Sequence, residues 1–140
     1  MCGIAGIFHL ETAKPVDPAR VRAMLDVMPH RGPDGSGIWT APGVGLGHPR
    51  LSIIDLGGGA QPMLTEDESL VVTFNGEIYN FAEVRAELEA KGHVFRTDSD
   101  TEVILHGYRQ WGEECVSRFN GMFAFALFDA RAQSLWLVRD

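Results

Sequence analysis

The sequence predicts an α+β fold in which two sheets pack face to face and helices cover their outer sides. Its 140 residues are 45% hydrophobic, enough for one domain with a buried core. About six or seven strand-like stretches accompany three helical ones. Most of those strands are apolar on both faces. They therefore need cover on both sides, and two packed sheets with outer helices provide it.

The first part of the chain predicts strands around one helix. The apolar stretch 3–10 has the pattern of a buried strand. Asp17 followed by Pro18 is typical of a helix N-terminus and predicts a helix over about 18–28. The apolar stripe of that helix consists of Val21, Met24, Leu25 and Met28.

Turn-forming residues and a proline organise the next segment. The stretch 30–37 predicts a tight loop before a strand at 38–40, and such a loop can hold an arginine where a carboxylate needs it. Two strands, 45–48 and 50–55, follow. We expect a bulge or strand end at Pro49 between them, because proline cannot donate to a sheet ladder.

The middle of the chain contains an Asn-Gly pair at the end of a strand. The apolar run 70–74 stops at Asn75 and Gly76, which is a hairpin-turn signal. The next element is instead a helix, with Asn80 as N-cap and Glu83 at the capping-box position. We therefore expect a sharp turn at Asn75 and Gly76 that leaves amide groups facing a ligand.

The last part of the chain predicts helices followed by a strand pair. Asp98 or Ser99 caps a helix over about 100–111, and Cys115 lies among the apolar positions of a short helix as inert core. The stretch 121–129 is too apolar for a half-exposed strand and is expected inside a sheet, paired with 134–138.

Composition excludes several classes of function. With 12 basic and 19 acidic residues the net charge is −7, which argues against a nucleic-acid or anionic-membrane surface. There is no apolar run of about 18 residues and no basic leader. Two cysteines are too few for a disulfide scaffold, so the cytoplasm is the expected compartment. The histidines lack metal-ligand spacing, and no metal is assigned.

Cys2 is a candidate nucleophile. If Met1 is removed, this residue carries both a thiol, with a pKa near roughly 8.5, and an α-amine, with a pKa near roughly 7.7 to 8.0. Nucleophile and base then belong to one residue. The alternative is a small apolar residue that begins a strand, and position alone favours that alternative.

Six motifs occur in order along the chain and together carry a resemblance. They are Cys-Gly-Ile-Ala-Gly-Ile-Phe at 2–8, Arg-Gly-Pro-Asp-Gly at 31–35, Arg-Leu-Ser-Ile-Ile-Asp at 50–55, Asn-Gly-Glu-Ile-Tyr-Asn at 75–80, Ser-Asp-Thr-Glu-Val-Ile at 99–104 and Gly-Met-Phe-Ala-Phe-Ala at 121–126. The set resembles class II glutamine amidotransferases, and is most similar to the glutaminase domain of glutamine-hydrolysing asparagine synthetases. The resemblance implies an N-terminal-nucleophile hydrolase fold, a four-layer αββα sandwich of two mainly antiparallel sheets.

The resemblance also implies roles for the site residues. Cys2 attacks the side-chain amide of glutamine, and the Asn75 side chain and Gly76 N–H stabilise the oxyanion. Arg50 matches the arginine that binds the α-carboxylate of glutamine, and Asp100 the acid that binds its α-ammonium. For Arg50 alone, a surface ion pair is the alternative. The residues expected to line the pocket are Leu51, Ser52, Ile53, Ile54 and Glu77.

Domain content and partners follow from the same resemblance. Residues 1–140 are expected to form the glutaminase domain, incomplete at its C-terminus and without the synthetase domain. The glutaminase half needs no cofactor, whereas ATP and Mg belong to the missing domain. Expected partners are glutamine and a synthetase domain in cis, with a homodimer as a candidate assembly of the full-length protein. Two alternatives stay open: another ammonia acceptor, and a non-catalytic regulatory module.

Overall fold

The computed structural model describes residues 2–11, 14–33, 35–50 and 59–140. Within these ranges the strands form two antiparallel sheets. The strands are β1 Ala5–Phe8, β2 Gly35–Ala41, β3 Val44–Arg50, β4 Met63–Leu64, β5 Leu70–Ile78, β6 Gly121–Asp129 and β7 Ser134–Arg139. The helices are α1 Pro18–Asp26, α2 Phe81–Ala90, α3 Thr101–Trp111 and a 3₁₀ helix at Gly112–Arg118.

The first sheet has the strand order β1-β3-β2, and α1 packs on its outer face. The Asp17 side chain accepts a hydrogen bond from the Ala19 N–H at 2.9 Å, which confirms the predicted N-cap. Val21 and Leu25 are buried as the spacing predicts. Met24 is exposed, so its assignment to the buried stripe was wrong. The helix is short, and these two aliphatic side chains suffice to cover the outer face of β3.

The second sheet has the order β4-β5-β6-β7, with α2 and α3 on its outer face. β6 lies inside this sheet, between β5 and β7, as its apolar composition predicts. Alternate residues of β5 and β6 pack against the two helices. The buried members of that cluster include Val72, Phe74, Phe123, Phe125, Leu88 and Ile104.

A second apolar cluster fills the space between the two sheets. It is built from Val44 and Leu46 of β3 and from Val71, Ala126 and Phe128 of the other sheet. The layer order is therefore helix, sheet, sheet, helix. This confirms the αββα sandwich predicted from the apolar strands and implied by the resemblance.

The prediction of a turn at Asn75 and Gly76 is wrong. Both residues lie inside β5, where Asn75 pairs with Ala124 and Gly76 pairs with Phe123. Gly76 has a φ of 152°, and a Cβ there would collide with the Met122 carbonyl oxygen. The glycine is therefore needed for a distorted strand position and for the close approach of β6, not for a turn.

β3 does not end at Pro49 as expected but continues to Arg50. The Pro49 carbonyl accepts a hydrogen bond from the Gly3 N–H at 3.1 Å. The pairing with the chain of the first strand therefore reaches Pro49, although proline has no N–H to donate. Most of the predicted strand 50–55 falls on residues 51–58, which lie outside the described residues.

The helix caps were predicted with mixed success. Asn80 precedes α2, but its side chain accepts a hydrogen bond from the Asn120 N–H instead of forming a capping box with Glu83. Ser99 does cap α3, since its Oγ accepts from the Thr101 N–H at 3.2 Å. Cys115 is fully buried, and burial raises the pKa of its thiol to about 12, which confirms an inert core position.

Candidate active site

Two strands face each other across the space between the sheets, one from each sheet. Leu46 of β3 packs in the same cluster as Val71 of β5, and His48 Nδ1 lies 3.3 Å from Thr73 Oγ1. Side chains alternate along a strand, so these four residues define the inward faces of β3 and β5. Trp39, which pairs with Leu46, contacts Phe128, which pairs with Val71. From this level to the contact between His48 and Thr73 both strands advance by two residues, so β3 and β5 run in the same direction.

The next inward positions bring two predicted site residues to one end of the sandwich. They are Arg50 on β3 and Asn75 on β5, each two residues further along its strand. The hydrogen bond from the Gly3 N–H to the Pro49 carbonyl continues the register of the first sheet and places the half-buried Cys2 beside Arg50. Cys2, Arg50 and Asn75 therefore converge at the same end.

The loop before β2 holds the backbone of Cys2. Arg31 Nε donates a hydrogen bond to the Cys2 carbonyl oxygen at 3.2 Å. The neighbouring Gly32 lies directly against β3, where a Cβ would collide with the Pro49–Arg50 backbone. The sequence allows an arginine of this loop to hold a carboxylate. The hydrogen bond that the structure shows goes to the peptide carbonyl of the candidate nucleophile.

One edge of β5 presents backbone groups at the same end. The Phe74 N–H donates to Gln61 Oε1 at 2.6 Å, and the Ile78 N–H donates to Asp100 Oδ2 at 3.0 Å. Alternate residues of a strand direct their N–H and C=O groups to the same edge. Gly76, midway between these residues, therefore presents its own N–H and C=O to the edge that Gln61 and Asp100 border.

Asp100 is a buried carboxylate with an unusual environment. Only 5% of its surface is exposed. Burial raises the pKa of its carboxyl group and the charge of Glu77 adds to that effect, while the backbone N–H groups of Ile78 and Thr101 oppose it. A nearby cation relieves the cost of keeping such a group ionised, so Asp100 is suited to bind an ammonium group.

Two buried polar atoms at this end have no hydrogen-bond partner among the described residues: Asn75 Oδ1 and His48 Nε2. Burial lowers the pKa of His48 to about 4, and the charge of Arg50 acts in the same direction. An unpaired buried polar atom costs about 1–3 kcal/mol. Such atoms therefore need an explanation, and a functional site is one of the commonest.

The remaining predicted site residues have different outcomes. Glu77 is half-buried on the same face of β5 as Asn75. Leu51, Ser52, Ile53 and Ile54 lie outside the described residues. Sequence reasoning missed His48 and Gln61. His48 was detectable as a polar residue at an inward position of an apolar strand, whereas Gln61 carries no local signal.

No group of three or more His, Cys, Asp or Glu side chains in the described part of the chain is arranged to hold a metal ion. None of the helices that the structure describes has the length and hydropathy needed to cross a membrane.

The sequence is similar over its whole length to curated asparagine synthetases. It is 46% identical over 142 residues to the glutamine-hydrolysing asparagine synthetase 1 of Bacillus subtilis (strain 168). It is 45% identical over 140 residues to the glutamine-hydrolysing asparagine synthetase 2 of Oryza sativa subsp. japonica. All of this chain is covered in both cases, but it spans only 22% and 23% of those proteins.

The fold matches solved structures of more distant sequence. The glutamine phosphoribosylpyrophosphate amidotransferase from B. subtilis, complexed with ADP and GMP, superposes with a TM-score of 0.78 at 21% identity. The match covers 98% of this chain and 37% of that one. A family model described as a glutamine amidotransferase domain matches residues 1–140. With the sandwich fold and the ordered motifs, this match shows that the chain belongs to the glutamine amidotransferase domain family.

Proposed function

We propose that this chain hydrolyses glutamine to glutamate and ammonia, with Cys2 as the nucleophile once Met1 has been removed. The observation that carries the proposal is the convergence of Cys2, Arg50 and Asn75 at one end of the space between the sheets. Inert Cys115 is buried in the core, which leaves Cys2 as the reactive thiol.

The chemistry needs a proton acceptor close to the thiol, and the α-amine of Cys2 supplies it. The sulfur attacks the amide carbon of glutamine, and its proton passes to the amine and then to the departing ammonia. A thioester between Cys2 and the glutamyl group remains. Water then attacks this thioester, releases glutamate and returns the proton to the sulfur. Arg31, bound to the Cys2 carbonyl, holds the backbone of the nucleophile during both steps.

The negative oxygen that forms at each step needs donors that are already in place. Asn75 is supported by the burial of its amide, whose Oδ1 has no partner among the described residues and whose other end can donate. Gly76 presents its N–H at the edge of β5 beside Asn75. We assign these two groups to the oxyanion site.

The charged ends of glutamine fix its orientation. Arg50 lies opposite Cys2 in the extended register of β1 and β3, and we assign its guanidinium to the α-carboxylate, for which its planar fork is suited. Asp100 and the Gly76 carbonyl border the same edge of β5 and bind the α-ammonium. Binding both ends places the side-chain amide of glutamine at the sulfur.

The role in a longer polypeptide is part of the same proposal. The relatives named above are glutamine-hydrolysing asparagine synthetases, of which this chain covers about a quarter or less. We infer that the ammonia is passed in cis to a synthetase domain, where ATP and Mg activate aspartate, in a cytoplasmic enzyme that is a candidate homodimer. Another ammonia acceptor remains the alternative, since the residues of this half contact glutamine and not the acceptor.

Ammonia release from glutamine tests the proposal, with the two cysteines as a matched pair. Cys2→Ala is expected to abolish hydrolysis while leaving the thermal unfolding temperature unchanged, because the side chain is half-buried and small. Cys115→Ala is expected to lower stability but retain hydrolysis. Mass spectrometry of the same protein should show an N-terminus that lacks Met1. Hydrolysis by the Cys2→Ala variant, or a retained Met1 in active protein, contradicts the proposal.

A further inference from the structure

We infer that Gln61 is a positioning residue for the ammonium end of glutamine: its side-chain amide replaces backbone pairing at the edge of β5 and keeps Gly76 and Asp100 available there. The inference deepens the proposed function and rests on it, because it takes this edge as the place where the α-ammonium binds. It gives a task to a side chain that the mechanism above does not use.

The backbone pairing along this edge of β5 stops just before the site. Toward Gly76, the pairing with β4 ends at Met63. In the same register the next pair would join Gln61 to Phe74. The pair after that would join Gly59 to Gly76 and would occupy both backbone groups of Gly76. The end of β4 therefore decides whether those groups can meet a ligand.

The side chain of Gln61 supplies the bond that the backbone pairing no longer provides. Its Oε1 accepts a hydrogen bond from the Phe74 N–H at 2.6 Å. Phe74 is 3% exposed, so this N–H would otherwise be buried without a partner, which is costly. A side chain reaches further than a backbone carbonyl. The bond to Phe74 is therefore kept while the backbone of Gln61 need not lie at pairing distance from β5.

The backbone of Gln61 lies against the first sheet. Gly37 of β2 pairs with His48, whose side chain points between the sheets, so a side chain at Gly37 would point there too. A Cβ at Gly37 would collide with the Gln61 carbonyl oxygen. The glycine leaves the space that the Gln61 backbone occupies. Gln61 therefore contacts both sheets, through its backbone on one side and its side chain on the other.

The second end of the Gln61 amide reaches α3. Its Nε2 donates to Thr101 Oγ1 at 3.4 Å, a longer contact than the bond to β5. Thr101 is the first residue of α3 and follows Asp100 directly. One amide group therefore joins the edge of β5 to the backbone segment that carries the proposed ligand of the ammonium.

Gln61 and Asp100 leave a gap of about 13 Å along the edge of β5, since four residues separate Phe74 from Ile78. Among the described residues, no hydrogen bond crosses this edge at Gly76. Gly76 itself is held from the other edge, by its pairing with β6. Loss of the Gln61 amide therefore leaves the Gly76 N–H in place but releases one wall of the gap and the start of α3. The effect is expected on binding of the ammonium, in KM, and not in kcat.

A double-mutant cycle tests whether Gln61 acts through Asp100. In the intact polypeptide, we expect Gln61→Leu to raise KM for glutamine about tenfold with kcat changed less than threefold. In the Asp100→Asn background the same substitution should raise KM less than twofold, because its target is already lost. Gln110→Leu, the same change at an exposed position of α3, is the control and should leave KM unchanged. Equal increases of KM in both backgrounds, or a fall in kcat at unchanged KM, overturn the inference.

A milder variant keeps the inference testable if Gln61→Leu does not fold. Thr101→Val removes only the acceptor on α3 and leaves the bond between Gln61 and Phe74 intact. We expect KM to rise at least threefold, with kcat close to the wild-type value. An unchanged KM in folded Thr101→Val overturns the inference.

Hydrogen exchange at the Phe74 amide is a readout that needs no glutamine. We expect this amide to be protected in the wild-type protein and at least tenfold less protected in Gln61→Leu, whereas the Val72 amide, which pairs with Met63, keeps its protection. Equal protection of Phe74 in both proteins overturns the inference. Absence of glutamine hydrolysis in the wild-type protein would instead overturn the proposed function, and the exchange result would then decide alone whether Gln61 maintains this edge.

Discussion

The space between the two sheets has two halves that differ sharply in chemistry. In one half Phe128 packs against Phe8 and Trp39, with ring centroids 6.3 and 5.7 Å away. In the other half, on the neighbouring strands β3 and β5, His48 and Asn75 each bury a polar atom without a hydrogen-bond partner among the described residues. One half therefore supplies stability, whereas the other gives up stability, which fits the reactive groups that we propose there. Under the proposed function, the difference separates residues whose loss unfolds the protein from residues whose loss stops its reaction.

The largest expected effect is on the apolar half. Phe128→Ala removes a side chain that is 2% exposed, and we expect it to lower the free energy of unfolding by about 3–5 kcal/mol. Urea denaturation measures this loss, and the folded fraction should keep the wild-type kcat for glutamine. Phe128→Leu is the control and should cost clearly less, since it leaves a smaller cavity. A large loss of kcat with little loss of stability would remove the contrast between the two halves.

The matching change in the polar half is Asn75→Ala. We expect kcat for glutamine to fall about 10²- to 10³-fold, because one donor to the oxyanion is lost. Stability should change little, since the variant also removes a buried oxygen without a partner. Gln133→Ala is a suitable control, because Gln133 is an exposed amide at the β6–β7 turn and should leave kcat unchanged. A destabilised Asn75→Ala variant with normal kcat would show that Asn75 is structural.

The apolar half was the more predictable half. The layer order and the interior position of β6 follow from runs of apolar residues, which report burial directly. The position of Asn75 and Gly76 inside β5 did not follow, because their partner strand is β6, which comes much later in the chain. A local Asn-Gly signal cannot show such a distant partner.

The polar half was predicted in part through motifs and in part not at all. The ordered motifs singled out Cys2, Arg50 and Asp100 from the sequence, and the structure shows how β3 and the edge of β5 hold them. His48 and Gln61 were missed because their partners come from other elements of the fold. His48 meets Thr73 of the opposite sheet, and Gln61 binds a backbone N–H of β5. Contacts between sheets depend on tertiary packing, which periodicity along one strand does not encode.

The contrast extends to two buried acids at the start of α3: Asp100 directly before the helix and Glu102 in its first turn. Glu102 is the structural one. Burial would raise the pKa of Glu102, but hydrogen bonds from His106, Thr97 and the Arg96 N–H outweigh it and lower the pKa to about 2. The folded-state pKa lies below the unfolded value of 4.5, so this stabilisation is complete above about pH 4.5 and lost as the pH falls toward about 2. Glu102→Gln should lower the free energy of unfolding at pH 7 by about 1–3 kcal/mol.

Urea denaturation at several pH values measures this effect. The difference in stability between the wild-type protein and Glu102→Gln should shrink as the pH falls from about 4.5 toward about 2. Glu83→Gln, a change of the same kind at an exposed position of α2, serves as the control. A difference that stays constant over this range would show that Glu102 is not ionised in the folded protein.

We propose Asp100 as the functional acid of the pair, and the smallest expected effect concerns its ionisation. Burial raises its pKa above the ordinary value of 3.8, so ionised Asp100 destabilises the fold at neutral pH, opposite in sign to Glu102. A glutamine ammonium that binds there needs the ionised form. We therefore expect the loss of ionised Asp100 to add to the fall of kcat/KM for glutamine on acidification at pH values above 3.8, on top of protonation of the Cys2 α-amine. In Asp100→Asn the acidic decline should be less steep, because the α-amine alone then titrates, KM should rise, and stability at pH 7 should not fall. A destabilised Asp100→Asn variant with unchanged KM would place Asp100 beside Glu102 as a structural acid, since the bond to the Ile78 N–H would then be its main task.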